Sequence, residues 1–173
     1  MSGIAGARAL IVMGVAGSGK TTLGEALAKR LDWPFEDGDA LHPPANIAKM
    51  AAGHPLNDAD RAPYFANVGA WIDARWARGR PAIVACSALK RAYRDSLRQG
   101  RPGLAFVFVA VDQANIERRL ASRQGHFFGP GLAASQFADL EPPAPDEPAI
   151  TVDGASPTIE QVDQVMGAFS GPV

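Results

Sequence analysis

Short apolar runs, each bounded by polar or glycine-rich sequence, recur along the chain and predict buried strands. Clear runs occupy residues 9–13, 81–86 and 104–111, and weaker ones lie at Phe35 and at residues 149–152. A short continuous apolar run is typical of a strand that is covered on both faces, as in a parallel sheet. The runs are therefore predicted to be the strands of one parallel sheet.

Apolar residues at helical spacing fill the segments between these runs. A longer helix is predicted over about residues 58–78, where it either packs on the sheet or forms part of a mobile flap. A last helix is predicted from Ser156 as N-cap, with Pro157 at its first helical position. The apolar helix faces are Leu23, Leu27 and Leu31, then Phe65, Val68, Ile72 and Trp76, then Ile159, Val162, Val165 and Phe169. Strands alternating with helices predict an α/β domain with helices on both faces of the sheet.

Composition narrows the class of protein. The 173 residues carry 17 Lys plus Arg against 18 Asp plus Glu, a net charge of −1, so neither nucleic acid nor a membrane is expected as a partner. The length suits a single domain over residues 1–173. The chain has no long apolar segment, and its one cysteine, Cys86, is interpreted as a buried apolar side chain. These features predict a soluble, cytoplasmic protein.

Residues 14–21, GVAGSGKT, match the phosphate-binding pattern G-x-x-x-x-G-K-[ST] in full. The glycines let backbone N–H groups converge on phosphate oxygens. Lys20 is predicted to reach the β and γ phosphates, and the Thr21 hydroxyl to coordinate Mg²⁺. The residues predicted to bind the nucleotide are Gly14, Ala16, Gly17, Ser18, Gly19, Lys20, Thr21 and Thr22. ATP and Mg²⁺ are therefore the expected cofactors.

The loop alone does not separate kinases from GTPases or motor ATPases. The chain contains no N-K-x-D guanine-reading motif and no D-x-x-G switch motif, which argues against a GTPase. Its short length without inserted domains argues against a mechanical ATPase. A kinase of small molecules is the class that remains.

Two acidic segments are alternative candidates for binding the metal and the acceptor. Asp37 and Asp39 follow a strand end, so one carboxylate can serve a metal-bound water while the other takes a proton from an acceptor hydroxyl. The same D-G-D sequence is also typical of a hydrogen-bonded turn. Asp112 follows the strand at residues 104–111 but directly precedes a helical segment, which favours a helix cap over a metal ligand.

Cationic residues supply a third signal. Arg119 and Arg123 share a helix face and lead into a glycine-rich segment, which predicts a mobile lid over about residues 123–140. Arginines that close over a transferring phosphoryl group stabilise its spreading charge, whereas a solvated helix face is the alternative. Lys90 and Arg94 follow another strand end and are placed to meet an anionic substrate.

Several separate motifs, in order along residues 10–152, together resemble the gluconate kinases, in the shikimate-kinase-like branch of P-loop kinases. The motifs are GVAGSGKTT at residues 14–22, DGDALHPPANIAKM at 37–50, GHPLNDADRAP at 53–63, CSALKRAYRD at 86–95, RLASRQGHFF at 119–128 and SQFADLEPP at 135–143. A set of this number and order is far more specific than the phosphate-binding loop alone.

The resemblance implies transfer of the γ-phosphoryl group of ATP to the terminal hydroxyl of D-gluconate, giving 6-phosphogluconate. It implies a three-layer α/β/α P-loop fold, a five-stranded parallel sheet of order 2-3-1-4-5, and a homodimer. By position, Asp37 resembles the residue that serves Mg²⁺, and Asp39 the residue that contacts the acceptor and can act as its base. Arg123 and Arg119 resemble lid arginines that join Lys20 in catalysis.

Acceptor binding is assigned by the same resemblance. The residues implied to contact the polyol and its carboxylate are Asp39, His42, Arg61, Lys90, Arg94 and His126. For the two histidines, a structural hydrogen-bonding role is the alternative. Ala16, Tyr64 and Gln124 depart from the common family pattern, and Gln124 removes one lid charge. A related small-molecule kinase, such as a shikimate kinase, and a nucleotide-binding regulatory protein without catalysis are the rival functions.

Overall fold

A computed structural model describes residues 3–122 and 131–169 of the chain. The elements in these ranges are β1 (Ala9–Met13), α1 (Lys20–Leu31), β2 (Phe35–Asp37), a 3-10 turn (Gly38–Leu41), α2 (Pro44–Ala51), α3 (Asp58–Trp76), β3 (Ala82–Ala85), α4 (Arg91–Arg98), β4 (Leu104–Ala110), α5 (Gln113–Ser122), α6 (Leu132–Asp139), β5 (Ala149–Asp153) and α7 (Thr158–Phe169). The strands form a parallel sheet of order β2-β3-β1-β4-β5. The expected fold class and strand order are confirmed.

β1 lies at the centre of the sheet, between β3 and β4. All of its residues are buried, as its apolar sequence predicts. In register, Ile11 lies opposite Val84 of β3 and Phe106 of β4. Because successive side chains of a strand point to opposite faces, Ile11 joins the core beneath α3, while Leu10 and Val12 join the core beneath α1 and α7. Helices therefore cover both faces of the sheet and give the three layers.

α3 covers one of these faces. Phe65, Val68 and Ile72 are buried against the sheet, and Trp76 packs at the edge of the same core. This arrangement confirms the first of the two roles predicted for the helix. A capping box between Asn57 and the third helical residue fixes where α3 begins, and so fixes the position of its first turn at the edge of the candidate site.

The start of α7 differs from the prediction by one residue. The helix begins at Thr158, and the carbonyl of Pro157 accepts a hydrogen bond from the N–H of Gln161. Pro157 therefore occupies the cap position that was predicted for Ser156. The N–H of Ser156 instead donates to Asp153 within the turn that leaves β5.

The proline-rich segment at residues 141–148 is fastened to α4. The N–H of Glu141 donates to the carbonyl of Leu89, and its carboxylate accepts from the N–H of Arg91 at 2.6 Å. The guanidinium of Arg91 makes two hydrogen bonds to Asp146, at 3.0 and 2.6 Å. The segment therefore connects α6 to β5 along the surface of α4, and it holds the end of α6 beside the loop between β3 and α4.

Among residues 3–122 and 131–169, no helix is both long enough and apolar enough to cross a bilayer.

Candidate active site

The phosphate-binding loop lies where β1 ends and α1 begins. Gly19 has a left-handed conformation and is the N-cap of α1, so the first N–H groups of the helix open toward the loop. At Gly14 φ is +155°, and a Cβ there would lie 2.7 Å from Ser18 Oγ and 3.0 Å from the carbonyl oxygen of Val109. Only glycine fits this approach, which explains the first fixed position of the motif.

Lys20 and Thr21 are the first two residues of α1. The Nζ of Lys20 lies 3.4 Å from the carbonyl oxygen of Val15, so this side chain extends back across the loop. The Thr21 hydroxyl donates to Oδ2 of Asp37 at 3.3 Å, although the two residues lie on different elements. The structure therefore brings Lys20, Thr21 and Asp37 to one place, as the sequence predicts.

Asp37 forms the hydrogen-bonded turn that the sequence left open as one of its roles, and its second carboxylate oxygen faces Thr21. Its Oδ1 accepts from the N–H of Asp39 at 2.9 Å and caps the 3-10 turn, while its Oδ2 faces Thr21. A hydroxyl and a carboxylate are oxygen ligands of the kind that Mg²⁺ prefers. Within the described ranges, no group of three or more His, Cys, Asp or Glu side chains is placed to hold a metal ion. A cation here would fit the phosphate-and-water coordination that Mg²⁺ has in kinases.

Gly38, between the two aspartates, is required by close packing. A Cβ at this position would lie 2.5 Å from the carbonyl oxygen of Ala85 and 2.5 Å from the hydroxyl of Tyr64. The glycine therefore lets the turn lie against the end of β3, which brings Asp39 to the edge of the sheet where the loop also lies.

His42 lies just beyond this turn. Its ring stacks on Tyr64 with centroids 3.9 Å apart, and its Nδ1 lies 3.4 Å from the amide nitrogen of Asn46. Burial lowers the pKa of His42, the Asp39 carboxylate raises it, and the Arg61 guanidinium lowers it, with a net decrease. The ring is therefore predominantly neutral at pH 7, and it can both donate and accept hydrogen bonds.

Five polar side chains, which we call the acceptor-side cluster, lie between the first turns of α3 and α4 and the end of α6. The members are Asp58, Arg61, Lys90, Tyr93 and Asp139. Lys90 Nζ lies 3.1 Å from Asp58 Oδ1, and the Tyr93 hydroxyl donates to the same oxygen. Asp139 lies 3.7 Å from Arg61 Nη1 and 3.9 Å from Lys90 Nζ. The structure thus brings together the two predicted cations and three partners that the sequence did not single out.

Hydrogen bonds within the cluster favour the charged forms of Asp58 and Lys90. Hydrogen bonds from Tyr93 and Lys90 hold the pKa of Asp58 below its usual range. The hydrogen bond to Asp58 raises the pKa of Lys90. Asp58 and Tyr93 lie inside two of the motifs that carry the family resemblance, which is the signal that could have identified them.

The prediction that Arg94 binds substrate is wrong. Its side chain is 0% exposed and makes hydrogen bonds of 2.6 and 2.9 Å to the Glu147 carboxylate. Its Nη1 also donates to the carbonyl oxygens of Ala88 and Leu89, at 3.0 Å each. Because these partners enclose the guanidinium, Arg94 stabilises the fold and fixes the loop that carries Lys90.

Replacing Arg94 by methionine is expected to lower the free energy of unfolding by about 3–5 kcal/mol, since the buried Glu147 carboxylate loses its partner. Urea unfolding measures this loss. The matched control Arg91→Met removes an exposed ion pair on the same helix and should cost far less, because exposed ion pairs contribute little to stability. Equal losses in the two variants would contradict the role given to Arg94.

The ion pair between Arg94 and Glu147 also makes the stability of the fold depend on pH. Burial raises the pKa of Glu147, but hydrogen bonds from Arg94 and from the N–H of Ala144 outweigh it, and the pKa lies below the usual glutamate value. A lowered folded-state pKa stabilises the fold above the unfolded-state pKa, and this stabilisation is lost as the pH falls through the lowered value. The stability difference between the wild type and Arg94→Met should therefore shrink on acidification.

Arg119 lies on the side of the loop that faces β5, whereas Asp39 follows β2 at the opposite edge of the sheet. Its guanidinium donates to the carbonyls of Gly17 at 3.3 Å, Ser18 at 3.2 Å and Gly154 at 2.7 Å. It borders a cavity of about 360 Å³. The cavity is lined by Ser18, Gly19, Thr22, Arg119, residues 154–158 and Gln161. These contacts place Arg119 between the loop and the turn after β5.

Asp112 caps α5, the role that the sequence favoured for it. Its Oδ1 accepts from the N–H of Asn115 at 2.8 Å. Cys86 is buried, as predicted, and burial raises the pKa of its thiol to about 12. Arg123 and His126 lie outside the described residues.

α6 contacts the phosphate-binding loop through a residue that the sequence did not single out. The N–H of Ala16 donates to Oε1 of Gln136 at 3.1 Å. Ala133 of the same helix packs with Val15 and Leu89. The helix that ends at Asp139 is therefore fixed to both the loop and the start of α4.

The chain is similar in sequence and in fold to several other proteins. A family model described as an AAA domain matches residues 10–138. A gluconokinase of Gluconobacter oxydans is 49% identical over 147 residues, which cover 85% of this chain and 83% of that protein. The thermoresistant gluconokinase of Escherichia coli is 41% identical over 152 residues, covering 88% and 87%. The crystal structure of a gluconokinase from Sinorhizobium meliloti has a TM-score of 0.85 and 42% identity, over 96% of this chain and 93% of that chain.

Proposed function

The chain belongs to the gluconokinase family, and we propose on that premise that it transfers the γ-phosphoryl group of ATP to the terminal hydroxyl of D-gluconate. The product is 6-phosphogluconate. The observation that carries the proposal is that one edge of the sheet gathers the groups that this reaction requires. They are the phosphate-binding loop, the carboxylates of Asp37 and Asp39, and the cations of Arg61 and Lys90.

The loop is proposed to hold the triphosphate through its backbone N–H groups and Lys20. Mg²⁺ fits beside the Thr21 hydroxyl and the Asp37 carboxylate, which already lie 3.3 Å apart. When bound, Mg²⁺ neutralises charge that develops on the β and γ oxygens during transfer. Thr21 and Asp37 would position the cation, and Lys20 adds a second positive charge from the protein itself.

Asp39 is proposed to hold the terminal hydroxyl and to accept its proton as phosphorus approaches. Arg61 and Lys90 would bind the carboxylate at the other end of the acid, because both are partly exposed cations on neighbouring elements. The neutral His42 ring beside Asp39 would hold a polyol hydroxyl. His126 is proposed as a further acceptor ligand and Arg123 as the lid arginine, both from the family resemblance.

The nucleoside part of ATP is proposed to occupy the cavity between Arg119 and the turn after β5. This cavity adjoins Gly19 and Thr22 at the start of α1, so a triphosphate on the loop would leave its nucleoside there. The guanidinium of Arg119 is a planar cation at the border, which suits stacking on a purine ring. Arg119 then contributes to ATP binding more than to charge stabilisation at the γ-phosphate.

A cytoplasmic location and a homodimer are proposed from the family resemblance. The buried free thiol of Cys86 agrees with a reducing compartment. Light scattering of the purified protein tests the dimer, and a single mass near 18.2 kDa would contradict it.

The decisive experiment is a coupled assay of ADP formation with ATP, Mg²⁺ and a panel of acceptors. The panel contains D-gluconate, shikimate, nucleoside monophosphates and the neutral polyol D-glucitol. D-gluconate is expected to give the highest kcat/KM. Turnover of another acceptor with D-gluconate inactive would overturn the choice of substrate, and ATP binding without any turnover would point to a regulatory protein. No observation on the described residues favours either rival.

A further inference from the structure

Asp139 lies where the acid end of the substrate is proposed to bind. It is the last residue of α6, and its carboxylate lies between Arg61 Nη1 at 3.7 Å and Lys90 Nζ at 3.9 Å. These are the two cations that the proposed function assigns to the substrate carboxylate. In the described part of the chain, a protein carboxylate therefore stands beside both of them.

The charges of the acceptor-side cluster cancel. Arg61 and Lys90 contribute two positive charges, and Asp58 and Asp139 contribute two negative ones. A monoanionic acid that enters this neutral cluster meets a like charge within a few ångströms, which disfavours binding. Binding is favourable when one of the two protein carboxylates moves away from the cations.

Asp139 is better suited to move than Asp58. The Asp58 carboxylate is held by the Tyr93 hydroxyl as well as by Lys90 at 3.1 Å. The Asp139 carboxylate, in contrast, is held in the described ranges by two ion pairs longer than 3.5 Å. Rotation of this one side chain would release both cations without moving the backbone, which Glu141 fastens to Leu89 two residues later.

We propose that Asp139 is a specificity-determining residue of the acceptor site, an internal counter-ion that the carboxylate of the sugar acid displaces from Arg61 and Lys90. The inference rests on the proposed function. A small anion without hydroxyl groups would have to displace Asp139 with no compensating contacts at Asp39 and His42. A sugar acid gains those contacts, so Asp139 favours acids that carry a polyol chain over simple anions.

The test measures binding by calorimetry without nucleotide, for the wild type and Asp139→Asn. D-gluconate is expected to bind the variant about fivefold more tightly. The substitution removes one partly screened negative charge that lies about 4 Å from the two cations. Inorganic phosphate should inhibit the variant more strongly than the wild type. D-glucitol, which has the polyol chain without the carboxylate, should bind both proteins equally.

Kinetics give a second readout that a purely structural role would not move. KM for D-gluconate should fall in Asp139→Asn, while KM for ATP stays unchanged. The fivefold difference should shrink in high salt, because exposed charges are screened. Asp139→Glu, which keeps the charge, should behave like the wild type, and Asp139→Ser provides a second neutral variant if the asparagine protein unfolds early.

Asp73→Asn is the matched control. It neutralises an aspartate in an ion pair with Arg101 at 2.6 Å, on the part of α3 away from the acceptor-side cluster, and should leave D-gluconate affinity unchanged. Unchanged or weaker D-gluconate binding in both neutral variants would overturn the inference, as would a parallel gain for D-glucitol. If the wild type binds ATP but neither binds nor phosphorylates D-gluconate, the proposed function itself fails.

Discussion

Lys20→Ala is expected to lower kcat for D-gluconate phosphorylation about 10³-fold, with the fold intact. The ammonium is placed over the loop, where it would meet the charge that spreads over the phosphoryl oxygens in the transition state. Its removal takes away a stabilisation that is greatest in that state, so kcat should fall more than ATP affinity. Steady-state kinetics and calorimetry with a non-hydrolysable ATP analogue measure the two effects.

Lys29→Ala is the matched control for this variant. Lys29 is exposed and lies in the last turn of the same helix, at the opposite end from the loop. Its replacement should leave kcat unchanged and alter thermal stability by no more than the Lys20 variant does. A Lys20→Ala protein with near-normal turnover would mean that another group carries the phosphoryl charge.

Local sequence predicts the loop and its surroundings well, because everything that shapes them is close along the chain. β1, the glycines and α1 follow one another directly, and each has its own signal in apolar periodicity or glycine spacing. The order of the strands has no such signal, since apolar runs do not say which strand lies next to which. The order β2-β3-β1-β4-β5 was predictable only from the family resemblance.

The contacts of Arg94 and Arg119 could not be predicted from the sequence, for a common physical reason. Spacing placed Arg94 near a strand end and Arg119 on the same helix face as Arg123, but neither spacing reveals what the guanidinium meets in space. Arg94 meets Glu147, 53 residues later, and is buried by it. Arg119 meets Gly154 beyond β5, which draws it to the cavity side of the loop. Pairings across such distances depend on the completed fold.

The position of Asp139 beside the two cations is likewise not evident from the sequence. The SQFADLEPP segment is one of the motifs that carry the family resemblance, but it does not show that Asp139 lies beside Arg61 and Lys90. Its significance comes from where α6 ends, and the connector fastened to α4 decides that position. Sequence reasoning found the two cations of the acceptor side, whereas their counter-ion required the structure.

Asp39→Asn is expected to lower kcat by about 10²–10⁴-fold while ATP affinity changes less than twofold. The amide keeps the size of the side chain, and the turn keeps its cap, because that hydrogen bond comes from the backbone N–H of residue 39. What is lost is a group that can accept the proton of the acceptor hydroxyl. Steady-state kinetics with D-gluconate and calorimetry with the ATP analogue measure the two effects.

An independent readout shows whether the charge was removed without disturbing the site. The Asp39 carboxylate raises the pKa of His42 against the larger lowering by burial, so Asp39→Asn should lower that pKa further, which NMR titration of the histidine ring detects. Asp32→Asn, in the exposed turn before β2, is the matched control and should change neither kcat nor the His42 titration. If kcat and ATP affinity fall together in Asp39→Asn, the carboxylate serves the metal and nucleotide, as Asp37 is proposed to do. If kcat alone falls while the His42 pKa moves down, the acceptor hydroxyl loses its base in an otherwise unchanged site.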